Sequence, residues 1–149
     1  MSPPFKVLVA DDSEEDRFLL ERCIRRNSWL QLIGAVSDGR QVLQWLAGDG
    51  RYSDRLMFPF PDLLLLDAIM VEANALQILN WLYNHPFPEL KVVIFTGSST
   101  PAACEEYLRQ GAHACYQKAV DFGELKKDVG QVADALRAGS YNFASPQLV

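Results

Sequence analysis

The sequence predicts a doubly wound α/β fold: five parallel strands in the order 2-1-3-4-5, with five helices covering both faces of the sheet. Three observations predict it. Short apolar runs alternate five times with amphipathic helical stretches. One run, the four leucines at 63–66, is continuous and lies just after Pro61, which suits a strand buried on both faces. Finally, polar residues gather where the runs end: Asp11 and Asp12 after the first, Asp67 after the third, Thr96 after the fourth and Lys118 after the fifth.

The elements follow in order. FKVLVA (5–10) is the first strand. Ser13 to Arg26 forms a helix with Leu19, Leu20, Cys23 and Ile24 on one face; Ser13 caps it, and Asp16 three residues on gives a weak capping box. Leu30 to Val36 is the second strand, and Arg40 to Ala47 a helix with Val42, Leu43 and Leu46 inward. Residues 48–61 form a loop rich in glycine and proline. Asp62 to Leu66 is the third strand, and Ala73 to Tyr83 a helix carrying Leu76, Leu79 and Leu82. Val92 to Phe95 is the fourth strand. Thr100 and Pro101 then open a helix as cap and first residue, and it ends near Gly111. Ala112 to Gln117 is a fifth, weaker strand. Asp121 to Ala138 is the last helix, with Leu125, Val129, Val132 and Leu136 on one stripe and Gly139 as its stop. This assigns residues 1–139 to one domain and 140–149 to a tail, with no output domain.

Bulk properties narrow the function. A chain of 149 residues supports one substantial core, and 49% hydrophobic with 22% charged residues is ordinary for a globular protein. A net charge of −5 gives no basis for nucleic acid or an anionic membrane as partner of the whole surface. No signal peptide or membrane-span pattern is present, so a cytoplasmic location is expected. Cys23, Cys104 and Cys115 are odd in number and lack a CxxC, so buried, reduced thiols are expected. Trp29, Trp45 and Trp81 read as packing residues, and His85 and His113 as structural or exposed.

Burying Leu63 to Leu66 contributes about 6–12 kcal/mol, and an unpaired carboxylate cannot share that interior. Asp67 therefore belongs at the strand's carboxyl end, either as a polar stop or as part of a site. In the order 2-1-3-4-5 the switch point lies between strands one and three, where ligands bind in such sheets. Asp11, Asp12 and Asp67 flank it. Two carboxylates about 4 Å apart repel by about 4 kcal/mol at an effective dielectric of 20. Three together call for a cation or for protons. Oxygen ligands without histidine or cysteine suit Mg²⁺. A metal held there would bring a phosphoryl donor in line with Asp67 as nucleophile, with Lys118 and Thr96 contacting the phosphoryl oxygens. Singly, each residue has an ordinary role: Asp12 as a cap, Glu14, Glu15 and Asp16 as complements to a helix dipole, Lys118 as a solvated lysine. The common edge and the order favour the cluster.

The motifs VLVADDS (7–13), LLLLDAIM (63–70), VVIFTGSS (92–99) and GAHACYQK (111–118) resemble the receiver domain of two-component response regulators, over about residues 5 to 138. The resemblance implies a flavodoxin-like sheet. It implies Asp67 as phosphoacceptor, and Asp11, Asp12, Asp67 and the Ile69 main-chain carbonyl around Mg²⁺. It also implies Thr96 as the switch hydroxyl and Lys118 as the phosphate-binding lysine. The partner would be a sensor histidine kinase or phosphotransfer protein, with output by protein contact to a downstream target. Tyr107 and Leu108, or Phe122 and Leu125, are candidates for that contact or for homodimerisation. The loop before the third strand is similar to that of stand-alone receivers serving sensor kinases, phytochrome-type ones included.

The sequence departs from the family around the switch. Val71 follows Met70 where proline is usual, and Asn74-Ala75 replace the later acidic or serine–glycine pair. Ala119 follows Lys118 where a cis proline is usual. A non-proline cis bond costs about 2.5–4 kcal/mol, which argues for a trans bond and a displaced Lys118. The usual aromatic position falls on Cys115, with Tyr116 one residue late and so on the other face of the sheet. Two rivals follow: an unphosphorylated pseudo-receiver acting as a constitutive interaction module, and a phosphatase with an aspartyl nucleophile. Ile69, where such an enzyme has its second acid, disfavours the phosphatase, and no GxGxxG follows the first strand.

Overall fold

A computed structural model describes residues 2–97, 101–119 and 121–139. Its five strands are β1 (Phe5–Ala10), β2 (Leu30–Val36), β3 (Leu63–Asp67), β4 (Lys91–Thr96) and β5 (Ala114–Gln117). They form one parallel sheet in the order β2-β1-β3-β4-β5, as expected. The helices are α1 (Glu14–Arg25), α2 (Gly39–Ala47), α3 (Ala75–Asn84), α4 (Pro101–Arg109) and α5 (Phe122–Ala138). Thr100, the expected cap of α4, and the tail from residue 140 lie outside the described residues.

Alternation along the central strands divides the core in two. Leu8, Ala10, Leu64, Leu66, Val92 and Ile94 pack with α2, α3 and α4. Val7, Val9, Leu63, Leu65, Val93 and Phe95 pack with α1 and α5. The four leucines of β3 serve both halves, which is why no polar residue interrupts them.

Helix ends follow from local chemistry. Ser13 Oγ accepts from the Asp16 N–H at 3.2 Å, and Asp38 Oδ1 from the Gln41 N–H at 2.8 Å. Asn74 and Gln77 form a reciprocal capping box on α3. Gly48 and Gly139 end α2 and α5 in the left-handed region, where a side chain would be strained. Within α3, Ile78 and Leu79 carry the burial, Leu82 is half-buried and Leu76 lies at the surface.

The 48–61 loop is built rather than loose. Trp45, Tyr52 and Phe58 pack ring against ring, with centroids 5.0–5.3 Å apart. The Arg55 guanidinium donates to the carbonyls of Trp45, Leu46 and Phe58, satisfying the end of α2. Trp45 packs over Gly34, as expected of a packing residue, and Trp29 lies under Arg137. His113 is structural: its Nδ1 accepts the Val92 N–H at 3.1 Å, and burial pushes its pKa down.

The cysteines correct an expectation. Cys104 of α4 and Cys115 of β5 form a disulfide, their Cα atoms 5.7 Å apart, and Cys23 is buried and free. The residues are 11 apart in sequence, with no motif to mark the pair. Packing of α4 on the sheet, with Cys104 turned toward Cys115, brings the two sulfurs together.

Candidate functional site: an acidic triad and a lysine

The expected residues converge at the carboxyl edge of the sheet. Asp11 follows β1 directly; its N–H donates to the Val36 carbonyl at 3.1 Å. Its Oδ1 accepts from the Ser13 N–H at 2.9 Å, and Arg17 Nη1 donates to its carbonyl at 2.8 Å. Asp11 is thus fixed from β2, from the turn into α1 and from α1 itself. Asp67 ends β3, paired in register with Phe95. Thr96 is the next residue of β4, and its carbonyl accepts from the Lys118 N–H at 2.8 Å. Asp11, Asp67 and Thr96 are the buried polar residues among those described, while Asp12 is exposed.

Carboxylate oxygens of Asp11, Asp12 and Asp67 lie within 4.8 Å of one another. Burial pushes the Asp67 carboxyl up to about 7, helped by the charges of Asp11 and Asp12; the Lys118 ammonium and the Ile69 N–H oppose the shift. Lys118 is the compensating charge. Its Nζ lies 3.1 Å from Asp11 Oδ2, 3.4 Å from Asp67 Oδ1 and 2.7 Å from Asp16 Oδ2. Burial alone would lower its pKa, but the hydrogen bond to Asp16 and the nearby charges of Asp11 and Asp67 outweigh it and hold the ammonium above the ordinary lysine range.

Two expectations change here. The bond from Lys118 to Ala119 is trans, as no cis bond occurs among the described residues. Lys118 is nevertheless not displaced from the site, because the β4–β5 ladder carries it to the Thr96 carbonyl. From the sequence, Asp16 has only a part in capping α1 and complementing its dipole. The structure adds that it is the nearest carboxylate to Lys118.

The site fits a hard divalent cation on its own terms. Asp11 Oδ2 is buried and accepts no aligned hydrogen bond; the Lys118 charge 3.1 Å away is its near partner. Three carboxylates with one ammonium leave negative charge that a cation would balance.

Comparison with known proteins agrees with this geometry. The model of the response regulator receiver domain matches residues 7–130, so the chain belongs to that family. The two-component response regulator ARR7 of Arabidopsis thaliana is 28% identical over 128 residues, 85% of this chain and 61% of that protein. Protein-glutamate methylesterase/protein-glutamine glutaminase 2 of Vibrio vulnificus is 34% identical over 97 residues, 64% of this chain and 25% of that protein. The chain therefore spans less than two thirds of these relatives. Among solved structures, the phosphorylated cyanobacterial phytochrome response regulator RcpA aligns with a TM-score of 0.79 at 17% identity, covering 91% of this chain and 96% of that one. A response regulator in red light signaling of R. palustris aligns at 0.76 and 25% identity, covering 89% and 92%. The Mn²⁺-bound form of response regulator Rcp1 aligns at 0.70 and 20% identity, covering 96% and 99%.

Proposed function

We propose that this receiver accepts a phosphoryl group on Asp67 from a sensor histidine kinase or a phosphotransfer protein, with Mg²⁺ bound, and signals through phosphorylation-dependent protein contact. The observation that carries the reading is the convergence of three carboxylates and one ammonium on a single edge, with Lys118 Nζ 3.4 Å from Asp67 Oδ1. Asp11, Asp12, Asp67 and the Ile69 carbonyl would hold the metal. When bound, Mg²⁺ supplies charge neutralisation and in-line alignment of the phosphoryl donor.

The chain's own groups do the rest. An ionised Asp67 oxygen attacks phosphorus; a new O–P bond forms as the P–N bond to the donor imidazole breaks, and the imidazole leaves with the electron pair. Lys118 and the Thr96 hydroxyl face the phosphoryl oxygens as charge and donor. Metal-free Asp67 holds its proton up to near neutral pH, so metal binding favours the nucleophilic form. The buried Asp11 oxygen without an aligned donor favours this reading over a constitutive interaction module, whose network would be closed.

Calorimetric titration with Mg²⁺, then with beryllofluoride, tests the reading. Binding of both by the native chain, with loss of beryllofluoride binding in Asp67→Asn, is expected. A chain that binds neither would act as an interaction module.

A further inference from the structure

We propose that Asp16 is a positioning residue that anchors the Lys118 ammonium beside Asp67. The proposal rests on the phosphoacceptor reading for its functional consequence, and on the geometry of Lys118 for itself. Of the three carboxylates around Nζ, Asp16 is the nearest at 2.7 Å, and this contact is an aligned hydrogen bond. Asp11 and Asp67 stand farther off, at 3.1 and 3.4 Å.

The anchor works because an ammonium carries three donors. One is committed to Asp16, which leaves two for oxygens at the acidic edge. Asp16 lies outside the Asp11, Asp12 and Asp67 cluster, so a cation that takes that cluster leaves the Asp16 contact intact. The base of Lys118 is fixed by its N–H bond to the Thr96 carbonyl, but four methylenes separate that base from the charge. Asp16 fixes the tip. It is itself held in the first turn of α1, where its N–H donates to Ser13 Oγ and neighbouring Arg17 ties the turn to the Asp11 carbonyl. Lysine is thus clamped between β5 and α1, where Ala119 follows it in a trans bond.

Lysine side-chain ¹H–¹⁵N correlation spectra read the anchor directly, recorded with and without Mg²⁺ and beryllofluoride and assigned by the signal missing from Lys118→Met. The native protein should show a Lys118 ammonium signal, protected from exchange with water, that survives addition of both ligands. Asp16→Ala should lose that signal and bind beryllofluoride about five- to tenfold more weakly, the scale of one partly exposed charged hydrogen bond. Asp16→Asn should fall between, and Asp16→Glu should recover part of the signal. A Lys118 signal unchanged in Asp16→Ala, or absent from the native protein, overturns the proposal. So does tighter beryllofluoride binding by Asp16→Ala, which would make Asp16 a competitor for the lysine. A native protein that binds no beryllofluoride but keeps an Asp16-dependent signal would sink the phosphoacceptor reading and support the anchor.

Discussion

Tyr116 stacks on Phe95, with ring centroids 5.4 Å apart and planes 20° apart, on the face of the sheet that α1 and α5 cover. Its neighbour Cys115 faces the other way and is bonded to Cys104 of α4. The aromatic residue of β5 therefore packs away from α4. Tyr116→Ala should lower stability by about 3–5 kcal/mol, the cost of removing a buried aromatic ring. Beryllofluoride affinity, measured on the fraction still folded, should hold. Denaturant unfolding beside a beryllofluoride titration separates the two effects, and a large loss of affinity would instead give Tyr116 a part in the switch.

The Cys104–Cys115 pair predicts a thiol count. Without reductant, the denatured protein should expose one reactive thiol, Cys23, and after reduction three. Closing a short loop of this kind contributes about 2–3 kcal/mol, so reduction should lower the unfolding free energy by that order. Three thiols before reduction would contradict the pairing.

Gly39 opens α2 against the loop that follows Asp67. Its N–H donates to the Val71 carbonyl at 3.2 Å, and an added Cβ would run into the Ala73 carbonyl oxygen. Backbone cannot yield there as a flexible side chain could. Gly39→Ala should cost about 1–3 kcal/mol and shift the 71–74 loop. Since that loop follows directly on Asp67 and carries Ile69, Mg²⁺ binding should weaken as well, as calorimetry would show.

The raised Asp67 carboxyl predicts a pH dependence of the metal-free protein. Folded, it titrates near 7, against an ordinary 3.8. Below pH 3.8 both states are protonated and burial carries no charge penalty. Between those values the unfolded chain releases its proton and the folded one keeps it, so stability falls as pH rises. At about 1.4 kcal/mol per unit, the full gap approaches about 4 kcal/mol. Asp67→Asn should therefore be more stable than the native chain at pH 8 and should lose that advantage near pH 4. Saturating Mg²⁺ should narrow the difference at pH 8. Denaturant midpoints across the pH series give the result.

The sheet order and the site were legible in the sequence for the same reason. A five-fold alternation of apolar runs and amphipathic stretches fixes parallel pairing, and parallel pairing sends every carboxyl end to one edge. Asp11, Asp12, Asp67, Thr96 and Lys118 then needed only their places in the chain. What escaped depends on how helices pack rather than on where they start. Cys104 meets Cys115 because of how α4 packs on the sheet, and Asp16 meets Lys118 because the first turn of α1 and the residue after β5 lie at the same edge. Neither is encoded in a spacing. The bond to Ala119 alone points to a displaced Lys118, but the β4–β5 ladder decides its place.

Intact mass after incubation with Mg²⁺ and a small acyl phosphate tests the central claim most directly, with Asp67→Asn in parallel. The account predicts a gain of one phosphoryl group on the native chain, abolished by a chelator and absent from Asp67→Asn. An unchanged native mass, or an equal gain on Asp67→Asn, would contradict it.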